Sequence, residues 1–520
     1  MRHFPVREAD SAKDPPMFPT SQLTDADRDA GLKWYVRNGM FFKIMETLSI
    51  GVFLTAYALS LGASNLVIGV LAAIPSLTQL AQLPAVYLVE RIASRRLVAV
   101  SLTLASRLLL LGAAAAALLQ PGPMALLLLV IAFAIRYIFG AIAGCAWNSW
   151  VRDFLPPERR GVFSAQRLTW MTIMAAMAAL AGGVFVDNWP GLTGLPQIYA
   201  YSALLVIATF SGVLETIAMA QIPEPTPLPL EHGPEQKTGL FSPLKEKNFR
   251  RLVTFLFSWN FASNLAAPFF AVQMLRQLGL DLTTVMMLTA LSQGANALVT
   301  GTFGSLADRY SNKRVLQFAA PLFIACIFAW TFTSLPDRHY FTMPLLVGIH
   351  ILTGVATAGV TLASGNMANA LSPTNGATRH LALCAAFTAI AAGTAPIIGG
   401  LYADVLANYQ FSLTVNWSAP DGETIIPAFD VTRWDFYFLA ATLIGLWSLT
   451  RLDQIEEPSA GGQVRMRQEL MMGVWRGVQT ASSIAGLKAV SDLPIALITE
   501  RLSRQKKTRP GKAKAGPPEA

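Results

Sequence analysis

Charged residues are scarce in this sequence. Asp, Glu, Lys and Arg supply 14% of its 520 residues, whereas roughly a quarter of the residues in a soluble globular protein are charged. Hydrophobic residues supply 53%, and they come in blocks of about 20, the length that one helix needs to cross a bilayer. Arg136 is the one charge between residues 124 and 144. This composition excludes an ordinary soluble protein and predicts a polytopic membrane protein with the lipid bilayer as its surroundings.

Cysteine and histidine are also few, and several sequence motifs are missing. The three cysteines, Cys145, Cys326 and Cys384, all fall inside apolar blocks, which excludes a secreted disulfide scaffold. With five histidines, no paired-Cys zinc spacing and no His-Glu-x-x-His, we expect no metal site and no cofactor. The phosphate-binding loop of an ATP-driven motor is missing as well. We therefore expect that the protein is not an enzyme and that a gradient supplies its energy.

The apolar blocks predict an all-α membrane protein with twelve spanning helices. We expect spans 1 to 6 near 40–62, 66–89, 98–119, 124–147, 168–186 and 198–220, and spans 7 to 12 near 252–274, 283–305, 315–335, 342–366, 380–402 and 434–450. The chain then divides into an N-terminal segment (1–38), a first six-helix bundle (39–220), a linker rich in proline and charge (221–251), a second bundle (252–452) and a basic tail (453–520). The N-terminal segment lacks the order of a cleavable signal, a basic patch followed by a short apolar core.

Positive charge is distributed unevenly along the chain. If the N-terminus is cytoplasmic, 34 of the 40 Lys and Arg residues fall in inner segments, and the outer loops hold Arg276, Arg338 and Arg433. Because Lys and Arg concentrate in cytoplasmic loops, we expect both termini inside and the protein in the cell (inner) membrane. The net charge of +9 does not indicate a nucleic-acid partner, since the basic residues lie between apolar blocks.

Three motifs recur in the two halves at nearly constant spacing. They are Glu90 to Arg96 with Asp308 to Arg314 (offset 218), Gly182-Gly183 and Asp187 with Gly399-Gly400 and Asp404 (offset 217), and Arg136-x-x-x-Gly140 with His350-x-x-x-Gly354 (offset 214). Such recurrence predicts two pseudo-symmetric six-helix repeats, an architecture of secondary transporters.

On these motifs the sequence resembles the major facilitator superfamily over roughly residues 38–452. The segment Gly304-Ser305-Leu306-Ala307-Asp308-Arg309, followed by Lys313-Arg314, resembles the family's signature between spans 8 and 9. The first-half copy has Glu90 where the family has Asp. Arg136 and Gly140 are similar to the span-4 signature of proton-coupled exporters. The run Gly393-x-x-Pro396-x-x-Gly399-Gly400 resembles an antiporter signature, although that signature belongs to span 5 and this run lies in span 11. The resemblance implies a central cavity lined by spans 1, 4, 7 and 10.

An acid followed by basic residues at a cytoplasmic helix end is interpreted as a gate. Such an acid can bridge to the neighbouring helix while the outside is open, and the bridge breaks as the two halves rock. The alternative is simple anchoring of topology by the basic residues. The residues assigned to the gate are Glu90, Arg91, Arg95, Arg96, Asp308, Arg309, Lys313 and Arg314. The glycines Gly140, Gly182, Gly183, Gly399 and Gly400 are interpreted as close helix-packing positions.

Polar residues inside the spans are costly in lipid and mark a pathway or a partner. The cavity-lining spans carry Lys43, Glu46, Arg136, Asn260, Asn264 and His350. Glu46 is the candidate proton carrier, because a carboxylate that alternates between apolar and cation-rich surroundings takes up and releases a proton. The alternatives are a permanent Lys43–Glu46 bridge, a structural bridge for Arg136 and a packing role for His350. Arg107 has no assigned role, and Glu215 is interpreted as snorkelling from span 6 to the interface.

The sequence therefore predicts a monomeric secondary transporter that moves a small organic solute by alternating access, coupled to protons, with export slightly favoured. The alternatives are an importer of the same fold and a non-transporting assembly factor or sensor. The second alternative rests on the tail, where residues 466–489 mix apolar and basic side chains as a membrane-surface or partner-binding segment does. The substrate, the direction and the role of the tail do not follow from the sequence.

Overall fold

The computed structural model describes most of the chain between residues 24 and 457. The described residues are 24–82, 84–85, 94–156, 160–226, 241–334, 339–373, 377–406, 409, 411–419, 422–431 and 433–457. Below, "inner" denotes the side on which span 1 begins, which the charge distribution predicts to be cytoplasmic, and "outer" denotes the opposite side.

Helices occupy the twelve predicted spans, although the helix of span 2 is short and residues 83 and 86–89 of that prediction lie outside the described residues. Span 1 is Asp25–Ser49 continued by Val52–Ser60, and spans 2 to 6 are Asn65–Thr78, Arg95–Ala114, Pro123–Phe154, Arg160–Thr193 and Ile198–Ala220. Spans 7 to 12 are Lys247–Val272, Leu282–Arg309, Asn312–Trp330, Thr342–Ala370, Ala377–Val405 and Arg433–Asp453. Ten helical stretches of the described chain are long and apolar enough to cross a membrane, and span 2 forms a shorter apolar helix. The prediction of an all-α, multi-pass membrane fold is confirmed.

Side-chain caps explain where several spans begin. A capping box of Thr24 and Asp27 starts span 1, and Ser64, Ser94 and Asp281 accept hydrogen bonds from the first turns of spans 2, 3 and 8. Each cap satisfies a backbone N–H that the helix itself leaves without a partner. Span 1 breaks at Gly51, whose φ of 63° favours glycine over other residues.

A β-hairpin joins spans 11 and 12 on the outer side, where the sequence analysis expected no strand. Strand β1 (Phe411–Ala419) pairs antiparallel with strand β2 (Gly422–Val431), and the register shifts between Leu413 and Thr414. Apolar and polar residues alternate along Phe411-Ser-Leu-Thr-Val-Asn-Trp417, which is the pattern of a strand. The hairpin adds to the all-α spanning domain without changing its class.

The two bundles meet near their outer ends through helices that approach closely. A Cβ atom added at Gly69 of span 2 would collide with the carbonyl of Pro396 in span 11, and one added at Gly183 of span 5 would lie 3.0 Å from the Cα atom of Thr283 at the start of span 8. Small residues allow such contacts between membrane helices. Spans 2 and 11, and spans 5 and 8, therefore close the outer side.

Span 5 is little covered along its inner half, and span 8 is little covered along its middle. Only 22% of the most apolar stretch of span 5 and 28% of that of span 8 is buried, against 39% to 56% for the other eight stretches. Val162, Leu168 and Trp170, near the inner end of span 5, are exposed by 69%, 64% and 41%. The bundles thus meet at the outer side, and we interpret the arrangement as an inward-open state.

Candidate transport pathway

Lys43 and Glu46 form an ion pair on the inner half of span 1. The Lys43 Nζ and Glu46 Oε2 atoms are 2.6 Å apart, and the two side chains are 32% and 27% exposed. One helical turn separates them, as the sequence spacing indicated. The pair is thus within reach of water from the open inner side.

Arg136 of span 4 lies deeper and is 4% exposed. Its guanidinium donates a 3.3 Å hydrogen bond to Ser49 Oγ on span 1, and it lies 4.7 Å from the centre of the Tyr137 ring. Its Nε atom is buried without a hydrogen-bond partner. Among the described residues Arg136 makes no ion pair with a carboxylate. A buried cation without a counter-ion attracts any anion that reaches it.

Asn260 of span 7 borders a cavity of about 420 Å³ between spans 7, 10 and 11. The polar residues Thr361, Ser364 and Thr388 line the same cavity, and Ser364 Oγ is buried without a partner. Asn264 lies one turn further along span 7 and donates 2.8 Å to the carbonyl of Asn260. The second bundle thus lines this cavity with neutral hydrogen-bonding groups.

His350 lies away from this cavity, in the packing of the second bundle. It is 8% exposed, its Nδ1 atom is 2.8 Å from the carbonyl oxygen of Leu346, and its ring meets that of Trp330 edge-on at 5.7 Å. These contacts are those of a hydrogen-bonded packing residue between spans 9 and 10.

The gate residues of the first half hold the inner ends of their own bundle together. Arg95 pairs with Asp153 of span 4 at 2.6 Å and with Glu224 at 3.3 Å, and the Glu224 carboxylate also accepts hydrogen bonds from the backbone N–H groups of Arg95 and Arg96. Glu90 and Arg91 lie outside the described residues.

The gate residues of the second half follow the same plan. Glu457 accepts a 2.6 Å bond from the backbone N–H of Lys313, whose Nζ atom donates to the carbonyls of Asp453 and Ile455. The backbone N–H of Arg314 bonds to Ser311 Oγ, and the Arg309 guanidinium lies 5.7 Å from the centre of the Tyr310 ring. Asp308 is exposed at the inner end of span 8.

Sequence reasoning missed the two glutamates that cap spans 3 and 9. Glu224 and Glu457 stand in the related segments Gln221-Ile-Pro-Glu-Pro225 and Gln454-Ile-Glu-Glu-Pro458. Each segment follows the last span of its bundle, and its glutamate binds the N-terminus of the third helix of that bundle. This five-residue repeat was a signal that could have found them.

The interpretation of Glu215 as a snorkelling residue is wrong. Glu215 is 3% exposed. Its carboxylate accepts two hydrogen bonds from the Arg107 guanidinium of span 3, from Nε at 2.9 Å and from Nη2 at 3.1 Å. The Arg107 guanidinium also donates to Ser106 Oγ, which in turn donates to the carbonyl of Arg136. A buried charge needs such a partner, so Arg107, which had no assigned role, is the counter-ion of Glu215.

Two outer carboxylates join the bundles to each other. Asp187, at the outer end of span 5, accepts hydrogen bonds from the backbone N–H groups of Leu282 (3.2 Å) and Thr283 (2.7 Å) at the start of span 8. Asp404, at the outer end of span 11, accepts from those of Asn65 (3.1 Å) and Leu66 (2.8 Å) at the start of span 2. We call these two contacts the outer caps. Negative charge is favourable at a helix N-terminus, so each cap stabilises the closed outer side.

The repeated glycines are placed where helices or large side chains come close. Gly182 faces Phe53, Gly399 faces Tyr437, and Gly400 faces the carbonyl of Asn65 across the bundle interface. Gly140 has Ser106 Oγ at 3.8 Å from the position of an added Cβ, so this site has room for a small side chain.

Comparison with known proteins gives the family. The family model described as Major Facilitator Superfamily matches residues 38–265 and 252–499, so the second match extends beyond residue 452 into the tail. None of the curated proteins matches the sequence.

Several solved structures share the fold. The nucleoside transporter NupG has a TM-score of 0.58 at 16% identity and covers 82% of this chain and 100% of its own. A bacterial homologue of the iron transporter ferroportin in an inward-facing state has 0.59 at 12%, with 84% and 99% covered. An inward-facing bacterial homologue of the lysosomal transporter Spinster has 0.55 at 14%, with 88% and 96% covered. With the family model matched across both bundles, the chain belongs to the Major Facilitator Superfamily.

Proposed function

We propose that this protein is a secondary transporter that moves a small organic solute across the cell (inner) membrane by alternating access, in exchange for or together with protons. The observation that carries the proposal is the pathway itself. Asp187 and Asp404 hold the two bundles together at their outer ends, so an opening of the pathway would lie toward the inner side. On one side stands the unpaired cation Arg136, and on the other stand neutral donors and acceptors such as Asn260.

Arg136 supports a solute with an anionic or strongly polar group. The buried guanidinium offers an Nε–H without a partner, and an incoming acceptor would satisfy it. Because the second bundle presents amide and hydroxyl groups at Asn260 and Ser364, hydrogen bonding to the rest of the solute complements this contact. Arg136 is thus proposed as a substrate contact.

Glu46 is the proposed proton carrier. Its carboxylate is bound to Lys43 and partly exposed in the inward-open state, so a proton can leave it toward the inner side. When the inner side closes, water withdraws from the pair, and a carboxylate in drier surroundings binds a proton more readily. This cycle couples the conformation to the proton gradient.

Export is favoured over import by the Arg136-x-x-x-Gly140 motif alone. A non-transporting assembly factor or sensor is the alternative from another class. Such a protein would not need a partly hydrated ion pair and a buried unpaired cation beside an open cavity, which is why transport is the preferred function.

A solute screen in proteoliposomes tests the proposal. Purified protein is reconstituted and uptake is measured for organic anions and polar solutes with a pH gradient imposed in either direction or absent. We expect one class of solute to accumulate with the gradient and to exchange without it. Arg136→Gln should abolish binding of that solute, whereas Lys33→Gln, an exposed change near the inner start of span 1, should not. Gradient-independent, non-saturable flux for every solute would overturn the proposal.

A further inference from the structure

A cavity of about 320 Å³ lies where span 7 begins and span 12 ends, at the inner side and apart from the central pathway. It is lined by Lys247, Arg250, Arg251, Thr254, Arg451 and Gln454. Four of these six side chains are cationic and none is a carboxylate. This set differs from the neighbouring inner surface, where Arg251 and Lys313 stand among Asp453, Glu456 and Glu457.

The chain holds these cations in place with specific contacts. The Asn248 side chain donates 2.9 Å to the carbonyl of Glu456 and accepts 2.8 Å from its backbone N–H, which ties the start of span 7 to the end of span 12. The Arg451 guanidinium lies 4.7 Å from the centre of the Trp447 ring, and its Nε atom is buried without a hydrogen-bond partner. These contacts fix the positions of the two helix ends and of Arg451, and they thereby define the cavity.

Little negative charge compensates this cluster. Arg251 pairs with Glu456, but the glutamate side chain is 78% exposed, so water screens the pair. Lys247 and Arg250 make no ion pair with any residue of the described chain. They also stand in the first turns of span 7, the positive end of that helix, where cations are unfavourable and anions favourable. The positive charge of the cavity is therefore largely uncompensated, and the cavity should attract an anion.

The surface leading to the cavity is apolar and follows one line along span 12. Leu439, Leu443 and Trp447 are exposed by 42%, 59% and 47% and recur every fourth residue, and Arg451 is the next position on this line. Residues four apart lie on one face of a helix. An acyl chain lying along this face would bring a phosphate group to Arg451.

We propose that this cavity binds the phosphate group of an anionic phospholipid, with the acyl chains along the Leu439–Trp447 face of span 12. The phosphate accepts hydrogen bonds from Arg451 and Arg250, and Lys247 supplies further charge. Basic pockets between membrane helices suit such headgroups. This site is separate from the transport pathway and does not depend on the proposed function.

Native mass spectrometry of the detergent-purified protein tests the site. Wild-type protein, Arg250→Gln/Arg451→Gln and the control Lys33→Gln/Lys245→Gln are each mixed with phosphatidylglycerol or with phosphatidylcholine. The control removes two exposed inner-side cations outside the cavity. We expect the wild type and the control to retain one phosphatidylglycerol, and the cavity variant to bind it roughly tenfold more weakly or worse, because two cations near an anionic lipid are lost.

A second measurement keeps the test valid if the cavity variant folds poorly. Phosphatidylglycerol should raise the unfolding temperature of the wild type more than phosphatidylcholine does. Equal retention or equal stabilisation by the two lipids overturns the proposal, as does phosphatidylglycerol binding that is unchanged in Arg250→Gln/Arg451→Gln. Displacement of the lipid by millimolar inorganic phosphate would assign the cavity to free phosphate and overturn the lipid assignment.

Discussion

Two ion pairs in the first bundle differ in their surroundings, and they are expected to differ in what they contribute. The Lys43–Glu46 pair is about 30% exposed, whereas the side chains of the Arg107–Glu215 pair are 10% and 4% exposed. Partly hydrated pairs add little to stability, while breaking a buried pair strands a charge in an apolar interior. The Lys43–Glu46 pair of span 1 is therefore suited to break and re-form during transport, whereas the Arg107–Glu215 pair is suited to hold spans 3 and 6 together.

Glu46→Gln should abolish pH-driven uptake and leave solute exchange intact. The amide can hydrogen-bond but cannot carry a proton. Because Lys43 remains in contact with water, we expect the free energy of unfolding to fall by no more than about 1 kcal/mol. Uptake in proteoliposomes and thermal unfolding of the same preparation check the two effects.

The double variant Lys43→Met/Glu46→Gln separates the carrier from a mere bridge. If Glu46 carries the proton, the double variant remains uncoupled however well it folds. If Glu46 only neutralises Lys43, removing both charges should restore pH-driven uptake. Full pH-driven uptake by Glu46→Gln alone would contradict the carrier role.

Arg107→Met should destabilise the protein by about 3–5 kcal/mol, because it leaves Glu215 buried and unpaired. Arg107→Met/Glu215→Met should recover most of this loss, since no buried charge remains. Thermal unfolding in detergent measures both variants against the wild type. Equal stability of the single and double variants would show that water or another cation compensates Glu215.

At the scale of whole helices, the two outer caps should bias the conformational equilibrium. Asp187→Ala and Asp404→Ala each remove a carboxylate from a helix N-terminus across the bundle interface. Losing such a cap costs about 1 kcal/mol, or about a fivefold change in the ratio of two states. Each variant should therefore shift the protein toward the outward-open state.

Spin-label distances between Leu192→Cys and Tyr340→Cys measure this shift. Both positions are exposed on the outer side, at 78% and 89%, one in each bundle, and the three native cysteines are replaced by serine. Asp281→Ala is the matched control, because Asp281 caps the same helix N-terminus from within its own bundle. A shift in the control equal to that in Asp187→Ala would contradict a role for the outer caps.

Asp308→Asn should act in the opposite direction on the same labels. Asp308 is exposed in the inward-open structure, so it is free to latch the inner side when that side closes. Removing its charge should weaken the outward-open state, shorten the mean outer distance and reduce turnover at normal expression. If the distance and the turnover are unchanged, the Asp308 motif only anchors the topology of the chain and does not act as a gate.

For the molecule as a whole, the charge distribution predicts which side faces the cytoplasm. Lys245→Cys, exposed before span 7, should react with an impermeant maleimide only from the inside, and Tyr340→Cys only from the outside. Labelling of Tyr340→Cys solely from the cytoplasm would reverse the orientation and, with it, the assignment of the outer caps.

The sequence predicted the fold well because apolar blocks and repeated motifs report directly on spans and symmetry. It marked Asp187 and Asp404 as equivalent positions without giving their partners, since the helix N-termini that they cap lie 95 and 339 residues away. The Arg107–Glu215 pair was missed for the same reason, because spacing along one helix does not tell which neighbour it packs against. The hairpin was also missed, although the alternation of apolar and polar residues from Phe411 to Trp417 is the pattern of a strand.

The outer caps also make the transport cycle sensitive to water activity. In the outward-open state the hydrogen bonds between two carboxylates and at least four backbone N–H groups are broken, and water must hydrate these groups instead. Opening therefore takes up water, whereas closing releases it. Osmolytes that are excluded from protein surfaces favour the less hydrated state. Sucrose outside the vesicles should therefore hold the transporter closed to the outside, and this effect should fade when Asp187 and Asp404 are both replaced by alanine.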